Sequence, residues 1–114
     1  MTKYHNRQVE WQGISFRSML EMRYAQALEL RRHAEEPGDR VDWWVYELPF
    51  YLPVLSGRRP VRHIVDFIVG LSDGRVCLVE VKGMETPTGR VKRLWLEGIL
   101  GQPISVVESD EVQA

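Results

Sequence analysis

The sequence predicts a single domain of the α/β (α+β) class, with a central mixed β-sheet flanked by helices. Two stretches have helical spacing of apolar residues, and they enclose several runs rich in β-branched and aromatic residues. The 114 residues suffice for one modest core. No apolar run approaches the ~20 residues that a membrane-spanning helix needs, which excludes an integral membrane protein with helical spans.

The first elements are a short strand and a helix. Residues 7–11 alternate weakly before Gly13, as a strand and turn would. Ser18 can cap a helix, with Glu21 placed three positions later as in a capping box. The apolar spacing that follows predicts a helix ending near residues 33–34, and a loop with Pro37 and Gly38 comes next.

The third element is an irregular strand. Residues 41–55 are rich in Trp, Tyr, Val and Phe, but Pro49 and Pro53 interrupt them. Because proline cannot donate to a strand ladder, we expect this strand to lie at a sheet edge or to follow an irregular path. A polar loop at residues 56–60 follows.

The centre of the chain predicts a hairpin. Residues 61–69 and 76–81 are β-branched runs, separated by Ser-Asp-Gly. A three-residue loop centred on Asp73, with Gly74 in the left-handed conformation, is a common connection between such strands. A two-residue Asp-Gly turn would shift the register by one residue.

The register decides whether charged side chains meet. With the three-residue loop, Asp66 lies opposite Glu80 on the same face of the sheet, and strand alternation adds Lys82 to that face. With the two-residue turn, Asp66 would lie opposite Val81 and the cluster would be broken. The site hypothesis therefore depends on the loop.

The last elements are a helix and a strand. A connector containing Pro87 leads to a predicted helix at residues 88–98, closed by Gly98 or Gly101. Its expected apolar face contains Val91, Leu94, Trp95 and Leu96. Residues 104–107 predict a short strand, so the core spans residues 7–107, and we expect the acidic tail at residues 108–114 to fray.

The charged residues of the hairpin suggest a metal site. Unpaired charge resists burial, so two acids and a lysine among apolar residues are usually retained for a function. Asp66, Glu80 and the Val81 carbonyl could bind Mg²⁺ (or Mn²⁺), which prefers oxygen ligands. Lys82 could orient a water, deprotonate it or stabilise a phosphate. The alternative is structural: Asp66 pairs with Lys82 or Arg62 at the end of the sheet.

The chain resembles the PD-(D/E)XK nuclease superfamily. Its pattern is an acid on one strand and acid-x-lysine on the next, preceded by a helical glutamate, and it matches Asp66, Glu80, Lys82 and Glu21. The chain is most similar to small phage-encoded endonucleases that resolve Holliday junctions and, equally, to related uncharacterised phage nuclease-like proteins. The similarity covers residues 9–107, although Val65 stands where the pattern has proline.

The resemblance implies a restriction-endonuclease-like core and a Mg²⁺-dependent endodeoxyribonuclease. It implies Glu21, Asp66, Glu80 and Lys82 as catalytic residues, with Glu21 joining the metal ligands unless it only completes the capping box. Branched DNA would be the substrate, and a homodimer would supply two active sites. Residues 41–55 or the N-terminal segment would form the dimer interface. The alternatives are a nuclease subunit of a larger recombination or packaging complex and a non-catalytic DNA-binding module.

The remaining features bear on partners and location. The net charge of −1 is mildly unfavourable for DNA binding, but basic residues flank the hairpin, and the expected DNA contacts are Arg62, Arg90, Lys92 and Arg93. The single Cys77 excludes an internal disulfide, and by alternation it faces away from Glu80. By the same alternation His63 faces away from Asp66. The polar N-terminus predicts a cytoplasmic protein, in the host cytoplasm if phage-encoded.

Overall fold

A computed structural model of the chain describes residues 8–108. Two short strands, β1 (Val9–Trp11) and β2 (Ile14–Phe16), form an antiparallel hairpin before helix α1 (Met19–Leu30), which ends in a 3₁₀ turn. Strands β3 (Val41–Leu52), β4 (Val61–Leu71) and β5 (Val76–Lys82) follow. Helix α2 (Pro87–Leu100) and strand β6 (Ile104–Glu108) complete the described chain.

The main sheet is mixed and has the strand order β3-β4-β5-β6. The first three strands are antiparallel, and β6 runs parallel to β5 after the crossover through α2. The predicted α+β class is therefore confirmed. Strand β3 lies at the edge, as its prolines predicted, and Pro49 pairs with Ile64 there.

The sheet has a helix on each face. Ala25 and Leu28 of α1 share a buried cluster with Val79 and Val81 of β5. Leu96 of α2 belongs to a second cluster on the other face. The remaining members of that second cluster are Leu52, Val65, Ile68, Leu78 and Ile104. Alternation along β5 thus separates an α1 side from an α2 side.

The central hairpin has the predicted register. Phe67 pairs with Val79 and Gly70 with Val76, which is the register of the three-residue loop. The Leu71 N–H donates to the Arg75 carbonyl across that loop, and Gly74 has a φ of 95°. The left-handed conformation of Gly74 therefore fixes which residues of the two strands face each other.

Several boundaries and one helical face differ from the prediction. Strand β2 is too short to be recognised by periodicity, and α1 ends at Leu30 because a 3₁₀ turn replaces its last predicted turn. Helix α2 starts earlier, because Thr86 caps it and Pro87 occupies its first position. Among the predicted apolar residues of α2, Leu96 is buried, whereas Val91, Leu94 and Trp95 are exposed. Arg7 and the tail at residues 109–114 lie outside the described residues.

Candidate active site

A cavity of about 670 Å³ lies where the N-terminus of α1 meets the middle of β4 and the end of β5. Its lining residues come from these three elements and from the segment that leads into α2. They are Arg17, Ser18, Leu20, Glu21, Asp66, Val81, Lys82, Gly83, Met84 and Thr86. The cavity thus brings together three of the four residues expected to be catalytic.

Asp66 is the buried acid of this cavity, with 2 % of its surface exposed. The pairing of β4 with β5 stops at Phe67 and Val79, and beyond it the Asp66 Oδ2 accepts a hydrogen bond of 2.8 Å from the Val81 N–H. Burial and, next, the charge of Glu21 raise the pKa of Asp66 to about 6, against the opposing effects of Val81, Lys82 and Arg17. Burial therefore disfavours the ionised form of Asp66, and the neighbouring Glu21 carboxylate adds to that effect.

Glu21 is the second acid, on the first turn of α1. The Ser18 hydroxyl accepts a hydrogen bond of 3.1 Å from the Glu21 N–H, as the capping box predicts. The Glu21 carboxylate, however, accepts a hydrogen bond from the Tyr46 hydroxyl and lies 3.7 Å from Arg17 Nη2. Glu21 thus lines the cavity while its N–H also takes part in the cap of α1.

Arg17 is the cation that contacts these acids. Its Nη2 donates to Asp66 Oδ1 at 2.8 Å, and its Nε lies 2.7 Å from Glu47 Oε2. Burial disfavours the charged guanidinium, but nearby carboxylates, Glu21 foremost, outweigh it and raise the pKa of Arg17. Nearly half of the side chain, 46 %, remains exposed. Arg17 thus joins three carboxylates and still contacts solvent.

The backbone of Glu47 is distorted beside this cluster. Glu47 has a φ of 59°, and the β3–β4 pairing, which also shifts register between Val41 and Trp43, omits Glu47 and Asp66. A left-handed glutamate within a strand is uncommon, and such residues concentrate at functional sites. The distorted backbone therefore lies where the side chains of Glu47 and Asp66 both contact Arg17.

Glu80 does not share the cavity with Asp66, contrary to the expectation of one common face. Its fully buried carboxylate bonds to His63, with Nε2 and Oε2 2.6 Å apart. Glu80 alternates with Val79 and Val81 of the α1 side, so it faces the α2 side, whereas Asp66 faces Arg17 and Glu21. The physical reason is that the alternation of β4 breaks at Asp66: Val65 packs on the α2 side and Phe67 on the α1 side.

Lys82 connects the two halves of the predicted site. Its Nζ lies 3.5 Å from Glu80 Oε1, its side chain is 27 % exposed, and it lines the cavity with Asp66. The spacing of Glu80 and Lys82 on one strand therefore gives the expected proximity. Val81 contributes its N–H to Asp66, whereas the prediction assigned its carbonyl to a metal ion.

The cavity contains donor atoms of the kind that a divalent cation prefers. The donors are carboxylate oxygens, the charge of Glu21 opposes ionisation of Asp66, and Glu80 Oε1 is buried without a hydrogen-bond partner. Among residues 8–108, however, no three His, Cys, Asp or Glu side chains are gathered as a ready-made metal site. The residues that fit are Asp66 and Glu21 on the α1 side, whereas Glu80 is held by His63.

Residues 1–98 match the model of a family described as "Protein of unknown function (DUF1064)". The chain belongs to the DUF1064 family. No curated protein and no solved structure matches it.

The expected DNA contacts of this DUF1064 chain differ in exposure. Arg62 and Arg90 are exposed, and Lys92 is half-buried. Arg93 is only 8 % exposed and forms an ion pair with Glu85. Arg93 is therefore less accessible to DNA than the other three, because Glu85 in the loop before α2 holds its guanidinium against the protein.

Four further residues of the DUF1064 site were not predicted. They are Arg17, Tyr46, Glu47 and His63. The spacing of Arg17 and Glu21 is that of an i,i+4 ion pair and could have indicated their contact. The others depend on how β3 and β4 pack, so their local sequence carries no signal for these contacts.

No helix in the described range is long and apolar enough to cross a membrane.

Proposed function

We propose that this protein is a divalent-metal-dependent DNA endonuclease. The observation that carries the proposal is the cavity in which two buried acids, Asp66 and Glu21, meet the partly exposed Lys82. Hydrolysis of a phosphodiester requires an activated water and shielding of the phosphoryl oxygens. Mg²⁺ or Mn²⁺ held by Asp66 and Glu21 would supply both. Glu80 faces the α2 side, so it would become a ligand only if its carboxylate turned toward the cavity.

The side chains around the cavity suit an anionic substrate. Lys82 offers a partly exposed ammonium that could hold a phosphoryl oxygen or orient the attacking water. Thr86, the N-cap of α2, also lines the cavity, and helix N-termini favour phosphate groups. Arg62 and Arg90 are exposed and available for backbone phosphates farther along the DNA.

A cleavage panel tests the proposal. Purified protein with Mg²⁺ or Mn²⁺ should cut at least one DNA among linear, supercoiled and four-way junction substrates. Asp66→Asn and Glu80→Gln should abolish cutting, whereas Asp73→Asn, the same kind of change in the exposed hairpin loop, should preserve it. If the wild-type protein leaves all three DNAs intact with both metals, the proposal is wrong.

Junction resolution is the substrate choice that we propose, because the pattern of Asp66, Glu80 and Lys82 resembles that of junction-resolving endonucleases. Symmetric cuts across a junction need two active sites, and a homodimer would supply them. Mapping both product strands should show paired cuts related by symmetry. A strictly monomeric state by light scattering at the working concentration would contradict resolvase activity.

A non-catalytic DNA-binding module is the second candidate. The observation that favours it is the engagement of Glu80 with His63, which leaves the cavity with the carboxylates of Asp66 and Glu21, both in contact with Arg17. In that case calorimetry would show DNA binding without binding of Mg²⁺ or Mn²⁺. A nuclease subunit that requires a partner would instead bind the metal but cut DNA only within its complex.

A further inference from the structure

Arg17 contacts the carboxylates that the proposed function assigns to a metal ion. Its Nη2 lies 2.8 Å from Asp66 Oδ1 and 3.7 Å from Glu21 Oε2. A guanidinium placed between two carboxylates serves the electrostatic purpose that a divalent cation would serve there. The Arg17 guanidinium and a divalent metal ion would bind the same carboxylate oxygens of Asp66 and Glu21.

The other contacts of Arg17 allow its guanidinium to release Asp66. Its Nε lies 2.7 Å from Glu47, whose side chain is 33 % exposed, and its own side chain is 46 % exposed. The Tyr46 hydroxyl accepts a hydrogen bond of 3.0 Å from the Arg17 N–H and donates one to Glu21. The backbone is therefore anchored, while the guanidinium can leave Asp66, keep Glu47 and remain hydrated.

We propose that Arg17 is a built-in cation that competes with the divalent metal ion for Asp66 and Glu21. This inference rests on the proposed function, because it takes these two carboxylates as metal ligands. Arg17 holds two like charges together in the metal-free protein and must release Asp66 when the metal binds. Arg17 consequently lowers metal affinity while it stabilises the metal-free fold.

The test is Mn²⁺ binding to the full chain, followed by the paramagnetic signal of free Mn²⁺ and by calorimetry. Loss of a charged hydrogen bond from the competing state should make Arg17→Gln bind Mn²⁺ about tenfold more tightly than the wild type. Arg17→Lys keeps the charge without the planar fork, so its affinity should fall between the two. Arg59→Gln, in the exposed loop between β3 and β4, removes one positive charge elsewhere and should leave Mn²⁺ affinity unchanged.

The outcomes separate the two proposals. If the wild type binds Mn²⁺ and both Arg17 variants bind it equally or more weakly, the competition is refuted and the metal site stands. If neither the wild type nor any variant binds Mn²⁺, the metal site and the inference built on it both fail. Should Arg17→Gln not fold, nitrogen-15 NMR of the wild type decides: Mg²⁺ should shift the Arg17 Nε–H resonance, and an unmoved resonance at saturation refutes the competition.

Discussion

Replacement of Asp66 by asparagine should stabilise the metal-free protein at neutral pH. Asp66 is almost fully buried, and burial and Glu21 raise its pKa from the ordinary 3.8 to about 6. A raised pKa means that the folded state disfavours the charged carboxylate. The amide of asparagine carries no charge, and its oxygen can still accept the hydrogen bond from Val81.

The size of this stabilisation and its pH dependence follow from the pKa shift of Asp66. About two pKa units, at 1.36 kcal/mol per unit, correspond to on the order of 3 kcal/mol. Below pH 3.8 the carboxyl is protonated in both the folded and the unfolded chain, so its ionisation does not affect stability. Between pH 4 and 6 the unfolded chain ionises first, and above pH 6 the full destabilisation is present. The advantage of Asp66→Asn should therefore grow from pH 4 to 6 and then level off.

Urea unfolding with a chelator, followed by tryptophan fluorescence at pH 4, 5, 6 and 7, measures this effect. Asp73→Asn is the control, since hydrogen bonds from Arg75 lower the pKa of Asp73 and its removal should not stabilise the protein. The reasoning is refuted if Asp66→Asn is less stable than the wild type at pH 7, or if the difference is the same at pH 4 and pH 7. Addition of Mg²⁺ should stabilise the wild type more than the variant, because only the native site gains the ligand.

Three further predictions concern the elements that hold the site. His63→Ala leaves the Glu80 carboxylate buried without its partner and should lower the free energy of unfolding by about 3 kcal/mol. In urea titrations His63→Ala/Glu80→Gln should recover part of that loss, and full additivity would contradict the pairing. Ser18→Ala should lower the free energy of unfolding by about 1 kcal/mol, because α1 loses its N-cap. Thr86→Ala should lower it by a similar amount through loss of the α2 cap. Unchanged urea midpoints would argue against both caps. Gly70→Ala should cost about 1–3 kcal/mol, because its Cβ would overlap the Trp43 ring, and a red-shifted fluorescence should report the displaced indole.

The hairpin was predictable from the sequence because its determinants are local. The Ser-Asp-Gly loop has one glycine where a positive φ is needed, and Gly74 adopts it. That choice sets the register of β4 and β5 without any knowledge of the rest of the fold. Ser18, Thr86 and Gly101 likewise bound their helices through contacts within a few residues.

The orientation of Glu80 relative to Asp66 was not predictable from alternation alone. Period-two reasoning assumes a continuous strand, but the side-chain alternation of β4 changes phase at Asp66. The distortion is shared with Glu47 on the neighbouring strand, which is far away in sequence. The burial of Arg93 was not predictable for a similar reason, since its charge is matched by Glu85 only once α2 has packed.

Strand β3 has one more consequence, for how copies of the protein can meet. It is an edge strand of the main sheet, and its Trp43 and Tyr51 side chains are exposed. An edge of this kind with a continuous row of free backbone donors and acceptors would be prone to pair with another copy. Pro49 has no N–H to offer, and Glu47 turns the chain out of the extended conformation nearby. A continuous ladder between two copies along the whole of this edge is therefore disfavoured, and contacts between side chains become more important there.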